Sequence, residues 1–169
     1  MTGNAGFSGS RKIYQIEETR KKLLEHYPKS FFAVFGENSP TLPGEIRGAA
    51  DRESAADGGV FGALWRLLKR NRLGADFSQR RIPILQQTVE VCETFGLDPY
   101  RMESDTCTVW LAEDASGLFE AAKKAGVSCK VIGFTTKGPA IRRTDGASVA
   151  YLRRPEPAAD PVQTETEQK

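Results

Sequence analysis

Apolar side chains recur at helical spacing through Ile13, Ile16, Leu23, Leu24 and Tyr27, with Glu17, Glu18, Lys21 and Lys22 on the other face. This predicts one helix over residues 12–27, ended with the help of Pro28. Phe31-Phe32-Ala33-Val34-Phe35 is short, aromatic and bounded by Ser30 and Gly36, which suits a strand buried on both faces. Residues 37–57 carry Pro40, Pro43, Gly44 and Gly48 among mixed charges and predict a long irregular connection, the first place to look for a site. The clearest helix covers residues 60–70, where Val60, Phe61, Leu64, Leu67 and Leu68 oppose Arg66, Lys69 and Arg70. Residues 75–78 read as a short strand, and Pro83 opens a third helix that reaches about Phe95 before Gly96 and Asp98-Pro99 stop it. Residues 106–112 read as a strand, and Asp114 caps a helix carrying Leu118, Ala121, Ala122 and Ala125 that Gly126 closes. A strand over 127–134 follows. Residues 140–144 and 148–152 then flank Asp145-Gly146, a dipeptide suited to a two-residue type I′ hairpin. The mixed order predicts an α+β fold, helices packed on a mostly antiparallel or mixed sheet.

The ends break this pattern. Three glycines around a lone Phe7 predict a flexible N-terminus over residues 1–10, and the Pro- and Glu-containing stretch 155–169, without an aromatic residue, predicts a disordered tail. Residues 11–154 are then a single domain. The chain has 169 residues with 24 Lys+Arg against 22 Asp+Glu, a net charge of +2, enough to bury a core and too balanced to imply a polyanionic partner. No apolar run is long enough for a membrane span and no segment resembles a signal peptide, so a cytoplasmic protein is expected. Cys92, Cys107 and Cys129 are odd in number and widely spaced, which supports neither a disulfide framework nor a zinc knuckle. With His26 as the only histidine, multi-histidine metal sites are excluded and a histidine-based nucleophilic mechanism rests on one residue.

Four features carry candidate chemistry. Asp57-Gly58-Gly59-Val60-Phe61-Gly62 places two glycines at a helix N-terminus, where free N–H groups and the helix dipole favour an anion such as phosphate. No Gly-Lys-Ser/Thr follows, so this is no Walker A loop, and the glycines serve equally to let a helix pack closely on a sheet. Asp51, Glu53 and Asp57 are close enough in sequence to hold Mg²⁺ beside a phosphate, or to be a solvated loop cluster. Between Arg66 and Arg81 six cations face the single Asp76, a pattern that fits a nucleotide phosphate or nucleic acid but more often marks a solvated helix face. Cys107 is a nucleophile only if a neighbouring cation lowers its pKa, and an inert buried thiol otherwise.

Taken in order, Asp57-Gly58-Gly59-Val60-Phe61-Gly62-Ala63-Leu64-Trp65, Gly74-Ala75-Asp76-Phe77, Arg81-Ile82-Pro83-Ile84 and Val91-Cys92-Glu93-Thr94-Phe95-Gly96-Leu97-Asp98-Pro99 resemble the C-terminal domain of the AIR synthase (PurM-like) superfamily. Within it the pattern is most similar to the hydrogenase maturation (HypE) family. Met102 to Val109 stands at that family's serine-rich strand entry, Val131-Ile132-Gly133 matches a later strand end, and the resemblance covers residues 51–152.

The resemblance implies ATP with Mg²⁺ as ligands and places a nucleotide or anion at Gly58, Gly59, Asp57 and Ser54. Members usually carry a preceding domain that supplies most Mg-ATP contacts and the dimer barrel, and the residues ahead of Asp51 are too few for it. Where the family reads His-Asp-x-Thr-x-Gly-Gly, this chain has Glu53-Ser54-Ala55-Ala56-Asp57-Gly58-Gly59, without the His and Thr and with Ser54 in place of Asp. The HypE family's terminal cysteine, which accepts a carbamoyl group, has no counterpart after Cys129. The expected function is a HypE-like module, not an enzyme by itself, that binds a nucleotide, an anion or a partner protein. The alternatives are a subunit of an ATP-dependent dehydratase or ligase, completed by a separate chain or by homo-oligomerisation, and a dimerising scaffold. Neither a membrane nor nucleic acid is an expected partner.

Overall fold

In the computed structural model, which describes residues 1–42 and 44–154, the chain opens with two helices rather than one. These are α1 (Phe7–Gln15) and α2 (Glu17–Leu24), separated where Ile16 turns extended. The aromatic run does not form a strand but a 3₁₀ helix, Lys29–Gly36. Its spacing explains the difference. Phe32 and Phe35, three residues apart, are buried together and stack on each other, with Tyr14 closing over both. A strand would have sent them to opposite faces.

The connection expected to be irregular over 37–57 contains a strand, β1 (Ala49–Ala55), and leads into α3 (Gly59–Arg70). Then come β2 (Gly74–Ser78), a 3₁₀ turn at Gln79–Arg81, α4 (Gln86–Phe95), β3 (Ser104–Ala112) and α5 (Ser116–Ala125). The last strands are β4 (Gly133–Thr136), β5 (Ile141–Asp145) and β6 (Ser148–Tyr151). The strand expected over 127–134 is thus confined to its end and to residues beyond it. Pro43 and the tail 155–169 lie outside the described residues.

Two sheets result. β1 and β3 form an antiparallel ribbon, while a four-stranded mixed sheet runs β4-β2-β5-β6 with only β2 and β5 parallel. The fold is α+β. Helix α3 is buried along Val60, Phe61, Ala63, Leu64, Leu67 and Leu68 and lies between the two sheets, its Phe61 ring edge-on to Phe77 of β2. A second core joins α1, α2, the 3₁₀ helix and α4 around Phe7, Leu23, Phe32, Phe35 and Val91. Among the described residues no helix is long and apolar enough to cross a membrane.

The β5–β6 hairpin forms where Asp145-Gly146 predicts it, displaced by one residue. Asp145 pairs with Ser148, so the two loop residues are Gly146 and Ala147. Only Gly146 takes a positive φ, 61°, which is the type II′ pattern rather than I′.

The expectation of a flexible N-terminus over residues 1–10 is corrected. Thr2 exchanges backbone hydrogen bonds with Thr108 at 2.9 and 3.0 Å, and Gly3 N–H donates to the Ser128 carbonyl at 2.9 Å, so this segment fills the gap between β3 and residues 128–130. Trp110 Nε1 donates to Thr2 Oγ1 at 3.0 Å, and the Met1 ammonium donates to the Lys130 carbonyl at 2.9 Å. Gly6 N–H donates to Ser104 Oγ at 2.6 Å. The glycines that suggest flexibility instead allow tight passage over neighbouring backbone.

This segment covers Cys107, whose full burial pushes its thiol up to about 12. Removal of residues 1–6 is therefore expected to lower stability by roughly 3 kcal/mol in urea unfolding. It should also make Cys107 as reactive toward a thiol reagent as the half-buried Cys129; in the intact chain Cys107 should react only on unfolding.

Candidate functional site at the start of α3

The acidic residues of β1 and the basic residues of α3 meet by simple periodicity. Asp51 and Glu53, two apart on a strand, lie about 7 Å apart on one face, and Arg66 and Arg70, one helical turn apart, lie about 6 Å apart. The spacings match. Arg70 Nε and Nη2 each donate to Asp51 at 3.0 Å, and its Nη1 donates to Glu53 Oε2 at 2.7 Å. Arg66 Nε donates to Glu53 Oε1 at 2.8 Å, and Asn71 Nδ2 adds a bond to Asp51 Oδ2 at 2.7 Å. The bonds from Arg70, then those from Asn71, hold the Asp51 carboxyl at about 2, well below its ordinary 3.8. For Glu53, 19% exposed, burial works the other way, but Arg66 and Arg70 outweigh it and keep the carboxyl low.

Arg66 also holds the turn ahead of the helix. Its Nη2 donates to the carbonyls of Ser54 at 3.1 Å and Asp57 at 2.9 Å, while Nη1 reaches Asp57 Oδ2 at 3.4 Å. Gly62 makes room for this, because a Cβ there would lie 3.1 Å from Arg66 Nη1. Ser54 Oγ accepts a bond from Ala56 N–H at 3.2 Å inside the same turn. Asp57 remains 81% exposed.

Gly58 and Gly59 both have positive φ, 63° and 62°. At Gly59 the reason is steric: a Cβ would sit 2.5 Å from the Tyr100 carbonyl oxygen and 2.7 Å from that of Met102. The backbone of residues 100–102 crosses the helix start here, and Phe61 N–H donates to the Tyr100 carbonyl at 3.1 Å. One of the N–H groups a helix start could offer an anion is therefore already used, and close packing is what Gly59 provides.

The structure thus brings Ser54, Asp57, Gly58 and Gly59 together at one corner but gives Asp51 and Glu53 to arginines. The three carboxylates in this arrangement do not fit a magnesium site, and among the described residues no group of three His, Cys, Asp or Glu is placed to hold a metal. The basic run is divided in the same way: Arg66 and Arg70 face β1, Arg80 pairs with Asp145, and Trp65 packs partly buried on the core. Three of the six cations are thus engaged by carboxylates of this chain. Cys107 is buried and its pKa is raised rather than lowered, which fits the inert buried thiol of the two readings. Sequence reasoning missed the structural role of Arg66 and Arg70. Their signal was the matched spacing of Asp51/Glu53 and Arg66/Arg70, which becomes legible only once residues 49–55 are recognised as a strand.

Residues 37–146 match the family described as AIR synthase related protein, C-terminal domain, and the chain belongs to that family. A Methanocaldococcus jannaschii protein named for hydrogenase expression/formation is 26% identical over 112 residues, which are 62% of this chain and 32% of that protein. The fold is shared with part of the hydrogenase maturation protein HypE. The Escherichia coli HypE crystal structure superposes with a TM-score of 0.68 at 17% identity, over 95% of this chain and 50% of that one. A HypE–HypF complex matches with a TM-score of 0.60 at 15% identity, over 90% and 51%. A HypE solved in complex with ATP matches with a TM-score of 0.55 at 13% identity, over 64% and 36%. The chain spans about a third of the curated relative and between about a third and a half of these HypE chains.

Two outcomes follow from the geometry. Because the folded-state pKa of Asp51 is depressed, its contribution is present above pH 3.8 and is lost as pH falls through about 2. Asp51→Asn should cost about 1 kcal/mol near neutral pH, and the gap from the parent chain should shrink below pH 4 in urea titrations across pH. Gly59→Ala should cost roughly 3 kcal/mol because backbone must move, and Gly58→Ala, with ordinary contacts for a Cβ, only about 1 kcal/mol. Thermal melts of the pair read the difference.

Proposed function

We propose that this chain is a HypE-like accessory module of hydrogenase maturation, non-catalytic on its own. In this reading it binds a protein partner and completes with it a nucleotide- or anion-binding corner at Ser54, Asp57, Gly58 and Gly59. The observation that carries the reading is the engagement of Asp51 and Glu53 by Arg66 and Arg70, which leaves Asp57 as the one outward-facing carboxylate of the three. A lone phosphate ligand would meet a helix start partly closed by residues 100–102. The family's HypE structures, one with HypF and one with ATP, support a partner protein and a nucleotide as the ligands. The protein partner in this reading is one that carries a HypE-type N-terminal domain, or a second copy of the chain, in a cytoplasmic setting.

A subunit of an ATP-dependent enzyme, of dehydratase or ligase type, is the second reading, and the ATP complex of HypE is what favours it. Calorimetric titration with ATP and Mg²⁺, with an ATPase assay alongside, separates the two. The first reading expects no saturable heat up to about 1 mM ATP and no hydrolysis by the chain alone. It expects binding to appear when a protein carrying the N-terminal HypE-type domain is added. Tight binding or turnover by the isolated chain would overturn it in favour of the enzyme.

A further inference from the structure

The four-stranded sheet has one face on α3, and its other face is covered by none of the described residues. Register places Phe134 of β4 opposite Asp76 of β2, Asp76 beside Arg142 of β5, and Arg142 opposite Tyr151 of β6. Cross-strand partners point to the same side, so these four form one row across the open face, with Val149 in the row below. Phe134 is 71% exposed, Tyr151 66% and Val149 59%. Scattered apolar residues on a surface are ordinary, but here two aromatics sit at the two ends of one row with an ion pair between them. Arg142 Nε and Nη2 donate to the two oxygens of Asp76.

The row is complementary to itself. A two-fold axis parallel to the strands, over the seam between β2 and β5, carries Phe134 onto the position facing Tyr151 and Asp76 onto the position facing Arg142. We propose that this open face is an interface with a second copy of the chain, the two sheets packed face to face about that axis. Each aromatic then covers its opposite number, and the two ion pairs merge into a ring of alternating charge in which every Asp76 meets two Arg142 groups. Sheets pack in this aligned manner about 10 Å apart, close enough for these side chains to meet. Four strands of four or five residues give a footprint of roughly 19 by 15 Å. That is small beside the ~800 Å² per partner of a tight complex, so the dimer is a weak, concentration-dependent one. Because α3 packs on the opposite side of this sheet, the dimer does not depend on the nucleotide reading, and either can fail without the other.

Sedimentation velocity of the full chain from about 5 µM to about 500 µM is the test, with circular dichroism of each variant to show that the fold is kept. The parent chain should shift from monomer to dimer across that range. Phe134→Glu with Tyr151→Glu should weaken the dimer by at least about tenfold. Asp76→Arg alone should do the same, since it sets like charges against each other, and adding Arg142→Asp should restore dimerisation by exchanging both signs of the ring. A parent chain that stays monomeric throughout overturns the proposal. So does a dimer indifferent to these substitutions, or a double swap that fails to recover it.

Discussion

Helix α3 has apolar side chains on more than one side, and the architecture follows from the need to cover it. A helix on a single sheet hides one stripe; Val60, Phe61, Ala63, Leu64, Leu67 and Leu68 together demand two walls. The four-stranded sheet supplies one through Ala75, Phe77 and Ile141, and the β1–β3 ribbon supplies the other through Ala55, Cys107 and Val109. Each large side chain so removed from water is worth about 2 kcal/mol, which makes this helix the anchor of the larger core. Its polar residues gather near the C-terminal end, where Lys69 and Arg70 also suit the helix dipole.

The ionic ladder extends that packing to the surface. Isolated surface pairs contribute little, but here two arginines share Glu53, and Arg66 continues onto the carbonyls of the turn that precedes Gly58. The conformation of the Ser54–Asp57 corner is therefore set by a helix residue one or two turns away. The same contacts that rigidify the corner withdraw negative charge from it, which separates this chain chemically from a protein that would collect a cation there.

Strong periodicity was legible, and competition between equally apolar alternatives was not. The helices at α3, α4 and α5 and the hairpin β5–β6 follow from spacing, capping and a glycine turn, and the mixed order of helices and strands carried the fold class. Residues 31–35 went wrong because a short aromatic run fits a strand or a 3₁₀ helix equally well until Tyr14 and Tyr27 are known to lie beside it. β1 was hidden by its charges: Asp51, Arg52 and Glu53 look like loop, and only the arginines of α3 make a buried side for that strand. At the site, the glycine corner was readable and the fate of its acidic neighbours was not, since their partners lie 13 to 20 residues away.

The buried N-terminal segment also bears on how the domain is made. Met1 bonds to Lys130, 129 residues distant, and Thr2 and Gly6 bond to residues of β3. Contacts of such long sequence separation slow folding, because much chain must be gathered before they form. On a ribosome, residues 1–6 have no strand partner until β3 has emerged, and only one covered flank until residues 128–130 follow. A chain stalled in synthesis before residue 130 would leave the edge of this segment that faces residues 128–130 open to other strands.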